Sequence, residues 1–191
     1  MIINKTNFSV NHSKMLDDLN FILKNHAQWP EYDPQNPRKP INQISLRHRI
    51  DTRFNLWEDG NGSLVDKETG KTLAFENDFC CWNKDLPEYT KQVLEDLMQK
   101  ENVNFGRVRY MRLMPKTGLT VHTDKEQRYH LVMTTNRFSM FGHVYEGSEE
   151  LGKVYHMPAD SHFYKVDTTL GHFVYNGGWE ERIHLVCSIA D

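Results

Sequence analysis

From Asn104 to the C-terminus the chain reads as short β-prone segments with no helical pattern between them. Segments at 105–110, 119–122, 129–135, 153–157, 162–166, 171–176 and 182–189 are rich in β-branched and aromatic residues. Pro, Gly or Asp/Asn clusters separate several of them. Parallel neighbours need a crossover of a dozen or more residues, usually a helix. No such helix is written here, so the spacing predicts antiparallel strands forming a sandwich or barrel.

The first half is organised differently. Residues 14–26 place Met15, Leu16, Leu19, Ile22 and Leu23 at helical spacing behind Ser13, a residue type suited to an N-cap. Pro30, Pro34, Pro37 and Pro40 forbid a continuous helix or central strand and predict an extended surface loop. Between 41 and 79 short apolar segments alternate with turn chemistry, notably Glu58-Asp59-Gly60-Asn61-Gly62. Gly70-Lys71-Thr72 ends like a phosphate-binding loop, but Val65 stands where that loop requires glycine, which leaves a hairpin turn. A second helix is expected over 87–100, with Tyr89, Val93, Leu94, Leu97 and Met98 buried and Pro87 in its first turn. Both helices should buttress the outside of one sheet. The expected organisation is a single domain over 1–191, with 1–104 an elaboration forming buttress and substrate wall, and 105–191 the β core.

At 191 residues the chain is long enough for one domain with a substantial core. A net charge of −3 with only short basic clusters makes a nucleic-acid partner unlikely on electrostatic grounds. Three cysteines, two of them adjacent at Cys80-Cys81, imply no disulfide framework and point to a reducing compartment. The opening MIINKTNFSVNHSK has no apolar core of a signal peptide, and no apolar run approaches the roughly 20 residues of a membrane helix. A cytoplasmic protein without a membrane partner is the expectation.

Val121-His122-Thr123-Asp124 is the chemical focus of the β half. Residues two apart on a strand share a side, so His122 and Asp124 can reach one ion together. Two imidazoles and one carboxylate on one face of the metal are the ligand set of non-haem iron(II) oxygenases. An open coordination face suits oxygen chemistry, whereas a structural zinc site is closed by four ligands. Alone, H-x-D is a common pair. The third ligand has several candidates, since His143, His156, His162 and His184 compete with His172. Context favours His172, which follows Asp167-Thr168-Thr169, precedes Asn176-Gly177-Gly178 and stands ten residues before Arg182.

Arg182 forms a second constellation. On a strand, Arg182, His184 and Val186 share one face, while Ile183, Leu185, Cys187 and Ile189 form the packing face. An arginine turned inward needs an anionic partner, and its planar guanidinium suits a bound dicarboxylate; taken alone, a structural ion pair with one of the 26 acidic residues is the commoner explanation. Arg128 and His130 also share a face, either toward the same cavity or as a cross-strand polar pair.

Taken in order, Arg112-Leu113-Met114-Pro115, Thr120-Val121-His122-Thr123-Asp124, Arg128-Tyr129-His130-Leu131, His172 with Asn176-Gly177-Gly178, and Arg182-Ile183-His184-Leu185-Val186 resemble the iron(II)/2-oxoglutarate dioxygenases. The resemblance is to the aspartyl/asparaginyl β-hydroxylase-like branch and covers about residues 105–191. It implies a double-stranded β-helix, a cupin-like jelly roll. It further implies iron(II) held by His122, Asp124 and His172, with 2-oxoglutarate and O2 as co-substrates. Arg182 would bind the distal carboxylate of 2-oxoglutarate, His130 would lie near its metal-side end, and Arg128 near a substrate carboxylate or amide. The implied reaction is hydroxylation of an amino acid or a peptidyl residue of Asp, Asn or Pro type, with succinate and CO2 released. Some members of this branch lack the iron-binding carboxylate, which this chain keeps. The family's small hydroxyl residue on the strand before the first histidine is missing, and Tyr110 is the candidate to replace it among Tyr110, Met111 and Arg112. Two other readings fit the same ligands: a non-catalytic metal-binding jelly roll, and a metal-dependent cupin isomerase or lyase in which Arg182 holds the substrate.

Overall fold

A computed structural model describes residues 2–29, 41–66, 68–145 and 151–190. The expected loop around Pro30, Pro34, Pro37 and Pro40 lies outside the described residues. In chain order the elements open with β1 (Ile3–Ser9), α1 (His12–Asn25), β2 (Ile41–Ser45) and β3 (Arg47–His48). A 3-10 turn at Glu76–Asp78, β4 (Cys81–Trp82) and α2 (Glu88–Glu101) complete the first half. Then follow β5 (Asn104–Leu113), β6 (Thr117–His122), β7 (Arg128–Thr134), β8 (Ser139–Val144) and β9 (Leu151–Tyr155). The chain closes with β10 (His162–Val166), β11 (His172–Asn176) and β12 (Arg182–Ala190).

Two antiparallel sheets face each other. The larger runs β1-β10-β7-β12-β5-β2, and the smaller runs β6-β11-β8-β9. This is the jelly roll that the strand spacing and the motif order predicted. Burial explains the layering. Met15, Leu19 and Ile22 of α1 and Val93, Leu94 and Leu97 of α2 share one apolar cluster with Val108, Tyr110, Leu131, Met133, Leu185 and Cys187. Both helices therefore cover the outer face of the larger sheet. Between the sheets a second cluster gathers Leu113, Val132, Phe141, Tyr164, Val166 and Val174. Burying each such side chain contributes about 1.5–3 kcal/mol.

The helix boundaries differ from the sequence reading. Asn11, not Ser13, caps α1, its side-chain oxygen accepting the Lys14 N–H at 3.2 Å, so the helix begins at His12. Pro87 is the N-cap of α2, in extended geometry (φ −54°, ψ 133°), rather than a member of the first turn. α2 stops where Asn102 adopts left-handed geometry (φ 52°). The hairpin at Gly70 is present, with Val65 bridged to Thr72 and Gly70 at φ 70°.

Of the strands outside the segments read from the sequence, β1 and β8 show why the pattern is silent. β1 carries Asn, Lys and Thr along an edge paired only with β10, so its alternation is polar on the exposed side. β8 contains Gly142, whose missing Cβ makes room for the Phe173 ring on the neighbouring strand. β5 extends to Leu113 because Arg107, Arg109 and Arg112 are built into it rather than ending it. Cys80 is exposed, with its sulfur 3.9 Å from that of Cys81. No helix among the described residues is long and apolar enough to cross a membrane.

Candidate metal centre

His122 and His172 are direct register partners across β6 and β11, which places their rings on one face with centroids 4.3 Å apart. Asp124 lies just beyond the end of β6 rather than on the strand with His122. Its position is fixed instead by the backbone, the Asp124 N–H donating to the Thr168 carbonyl at 2.9 Å. Ligand atoms of His122, Asp124 and His172 all lie within 4.8 Å of one another, the one such group of three among the described residues. The competitors are occupied elsewhere. His143 pairs in register with His172 but packs over Gly152 and against Tyr145. His156 contacts the Ser139 carbonyl, and His162 is held by the Asp160 carbonyl.

The donor chemistry suits a divalent metal. Nδ1 of His122 lies 2.8 Å from the Thr120 carbonyl, and Nδ1 of His172 lies 2.9 Å from the Leu170 carbonyl. A carbonyl only accepts, so each Nδ1 carries the proton and each Nε2 is left with a bare lone pair. Asp124 divides its oxygens: Oδ1 pairs with Arg128 Nη2 at 2.8 Å, while Oδ2 is buried without a hydrogen-bond partner, 3.5 Å from His172 Nε2. Burial lowers the His172 pKa, with the neighbouring His122 adding to the effect, which keeps the imidazole in its ligating form. The orphaned oxygen and the two bare nitrogens together fit an iron(II) ion with its remaining face open.

The opposite wall belongs to the larger sheet. A cavity between the two sheets separates the triad from Met111 and Leu113 of β5, Arg128 and His130 of β7, and Arg182, His184 and Val186 of β12. Each strand's alternation produces this wall, since Ile183, Leu185 and Cys187 turn to the helix-covered face. Leu119, Phe141 and Val174 add apolar surface from the smaller sheet, and Phe141 stacks on His172 with ring centroids 5.2 Å apart. Arg182 is buried, and among the described residues no carboxylate pairs with it. Desolvation pushes its pKa down to about 10, so the guanidinium is still charged at neutral pH. Its Nη2 donates to His184 Nδ1 at 3.2 Å, and His130 Nδ1 lies 3.3 Å from the same nitrogen. Burial, reinforced by the charge of Arg182, holds both histidines well below their ordinary pKa.

One expectation changes here. Tyr110 does not replace the missing hydroxyl residue: it is wholly buried among the helices on the other face of β5. Asn176 ties the turn before β12, donating to the carbonyls of Leu113, Met114 and Glu180 at 3.1, 3.2 and 2.8 Å. Trp179, 83% exposed, lies under the Lys116 ammonium (4.2 Å) on the surface. The wall residues Met111, Phe141, His184 and Val186 were not read as site residues. Their signal was the face they share with Leu113, Val174 and Arg182, visible once register is known.

A jelly roll carrying two histidines and one carboxylate at the mouth of a basic-walled cavity defines the class of non-haem iron oxygenases. The chain belongs to the aspartyl/asparaginyl β-hydroxylase family, whose model matches residues 11–191. Accordingly the protein is a 2-oxoglutarate-dependent dioxygenase, and the match begins well before the β core in which the motifs lie. The fold is similar to an oxidoreductase of the 2OG-Fe(II) oxygenase family from Burkholderia pseudomallei (TM-score 0.54, 13% identity, 93% of this chain and 78% of that one). It is also similar to IDO from Bacillus thuringiensis (TM-score 0.54, 8% identity, 99% of this chain and 90% of that one). No curated protein sequence matches the chain.

Proposed function

We propose that the protein hydroxylates an amino acid or a peptidyl residue of Asp, Asn or Pro type, consuming 2-oxoglutarate and O2 and releasing succinate and CO2. The observation that carries this reading is the facing of the two walls: His122, Asp124 and His172 gathered beside the smaller sheet, and on the larger one a buried Arg182 that no carboxylate among the described residues pairs with. When bound, iron(II) with 2-oxoglutarate supplies the oxidation of an unactivated C–H bond. The protein's part is positioning. His122, Asp124 and His172 hold the metal, and Arg128 keeps the Asp124 carboxylate aimed at it. Arg182 anchors the distal carboxylate of 2-oxoglutarate, with His130 toward the metal-side end. Leu113, Phe141, Val174 and Val186 keep the space between apolar and exclude water. Arg128 also lines the cavity with its Nε buried and unpartnered, a donor suited to a substrate carboxylate or amide.

A cavity enclosed between two sheets suits a small molecule or one side chain rather than a nucleic-acid strand. The basic groups are buried in it instead of forming a surface stripe. The test is succinate formation from 2-oxoglutarate with iron(II) across panels of amino acids, peptides and nucleic acids. Turnover stimulated by an amino acid or peptide supports the reading. Stimulation by nucleic acid alone overturns the substrate class, and oxygen-independent turnover assigns the site to an isomerase or lyase.

A further inference from the structure

We infer that His184 is the second hydrogen-bond donor to the distal carboxylate of 2-oxoglutarate, taking the place of the hydroxyl residue that the neighbouring strand lacks. A carboxylate has two oxygens and accepts several hydrogen bonds, so one arginine leaves acceptor capacity unused in a dry site. Of the β5 residues that line the cavity, Met111 and Leu113 offer no side-chain N–H or O–H, and the Arg112 guanidinium between them is engaged by Glu181 at 3.2 Å and lies over the Trp29 ring. Tyr110 points to the helices. His184, however, is the direct register partner of Met111 across β12 and β5, so its ring stands beside the position the hydroxyl would occupy.

The hydrogen bonds fix which nitrogen carries the proton. A guanidinium only donates, so the 3.2 Å contact from Arg182 Nη2 requires His184 Nδ1 to accept. In the neutral ring the proton is then on Nε2. That atom is buried without a partner, in a residue only 1% exposed. A buried N–H without an acceptor is destabilising, and an incoming carboxylate oxygen would satisfy it. Arg182 and His184 are thus coupled: the contact that steadies the guanidinium also turns the imidazole N–H toward the cavity.

This inference rests on the 2-oxoglutarate reading, and one experiment separates the two. His184→Asn retains an acceptor near the Nδ1 position and so still steadies Arg182, but it has no donor at the Nε2 position. His184→Gln restores an N–H there. Anaerobic titration of each iron(II)-loaded protein with 2-oxoglutarate, and with 2-oxopentanoate, which lacks the distal carboxylate, reads affinity from the visible charge-transfer band. Thermal unfolding of both variants checks that they fold. His184→Asn is expected to weaken 2-oxoglutarate roughly 30-fold and His184→Gln roughly threefold, as befits one hydrogen bond to a charged group. Binding of 2-oxopentanoate should be the same in all three proteins. Equal 2-oxoglutarate affinity in His184→Asn and wild type overturns the inference, as does an equal loss for both oxo acids. A wild-type protein that binds the two oxo acids alike instead sinks the 2-oxoglutarate reading, and the role of His184 with it.

Discussion

Arg128 and Asp124 form a 2.8 Å ion pair that occupies one carboxylate oxygen and leaves the other bare beside His172. Only 12% of the arginine side chain and 16% of the aspartate side chain are exposed, so the pair is largely shielded from solvent, and it sets the direction of the free oxygen. Arg128→Gln should therefore weaken iron(II) or manganese(II) binding about 10–100-fold, the usual cost of losing a group that orients a ligand. Asp124→Ala should weaken it further, because a ligand itself is gone. Anaerobic metal titration measures both. Unchanged affinity in Arg128→Gln would remove its orienting role, and an unchanged Asp124→Ala would remove the carboxylate from the triad.

Arg182 carries the charge of the facing wall without a carboxylate partner among the described residues. A dicarboxylate supplies that partner, and hydrogen bonds to a charged group are worth about 1.5–3 kcal/mol. Arg182→Ala should raise the KM for 2-oxoglutarate about 10–100-fold while metal affinity stays within about twofold. Steady-state kinetics at varied 2-oxoglutarate, paired with metal titration, decides the matter. A loss of metal binding equal to the loss of co-substrate binding would mean that Arg182 supports the fold of the site rather than the anion.

That His122, His172 and Arg182 would face one space was legible in the sequence because strand alternation puts them on definite faces. Asp124 joins them for a different reason: it is off the strand, held by Thr168 rather than by the alternation. What alternation could not show was pairing. That His184 stands opposite Met111, or that Phe141 stacks on His172, depends on register between strands far apart in sequence. The edge strand β1 stayed hidden because its exposed face is polar, and β8 because a glycine serves the neighbouring Phe173 ring.

Asn176, four residues after His172 on β11, is a structural knot. Its side-chain oxygen accepts from Asn136 Nδ2 at 2.9 Å and from the Gly178 N–H at 3.2 Å, while its Nδ2 serves three carbonyls. Asn176→Ala leaves several buried groups unpaired at about 1–3 kcal/mol each, partly relieved by water. A loss of roughly 3 kcal/mol in chemical denaturation is expected, with the metal affinity of the folded fraction retained. Asn176→Asp should be comparably destabilising, since a carboxylate cannot donate to those carbonyls. Loss of metal affinity without loss of stability would return Asn176 to the site.

Glu76 and Arg107 give the fold a defined acid sensitivity. Both are buried, and Arg107 donates to Glu76 through Nε at 2.8 Å, Nη2 at 2.7 Å and its backbone N–H at 2.8 Å. Burial alone would raise the Glu76 pKa, but hydrogen bonds and charge from Arg107 overcome it and hold the carboxyl below its ordinary value. A carboxyl depressed in the folded state adds stability above its unfolded pKa, about 4.3 for glutamate. That stability is lost as pH falls through the lower, folded value. Glu76→Gln leaves the Arg107 charge uncompensated and should cost about 3–5 kcal/mol at pH 7. Because the variant has no carboxyl to protonate there, its stability should fall less between pH 5 and pH 3 than that of wild type, in about that window. Gly106→Ala should act on the same pair from the other side, since a Cβ there would stand 2.6 Å from the Glu76 backbone oxygen and Cβ. Urea unfolding midpoints across this pH range test both variants. Parallel pH profiles for Glu76→Gln and wild type would show that the pair does not govern the acid limb.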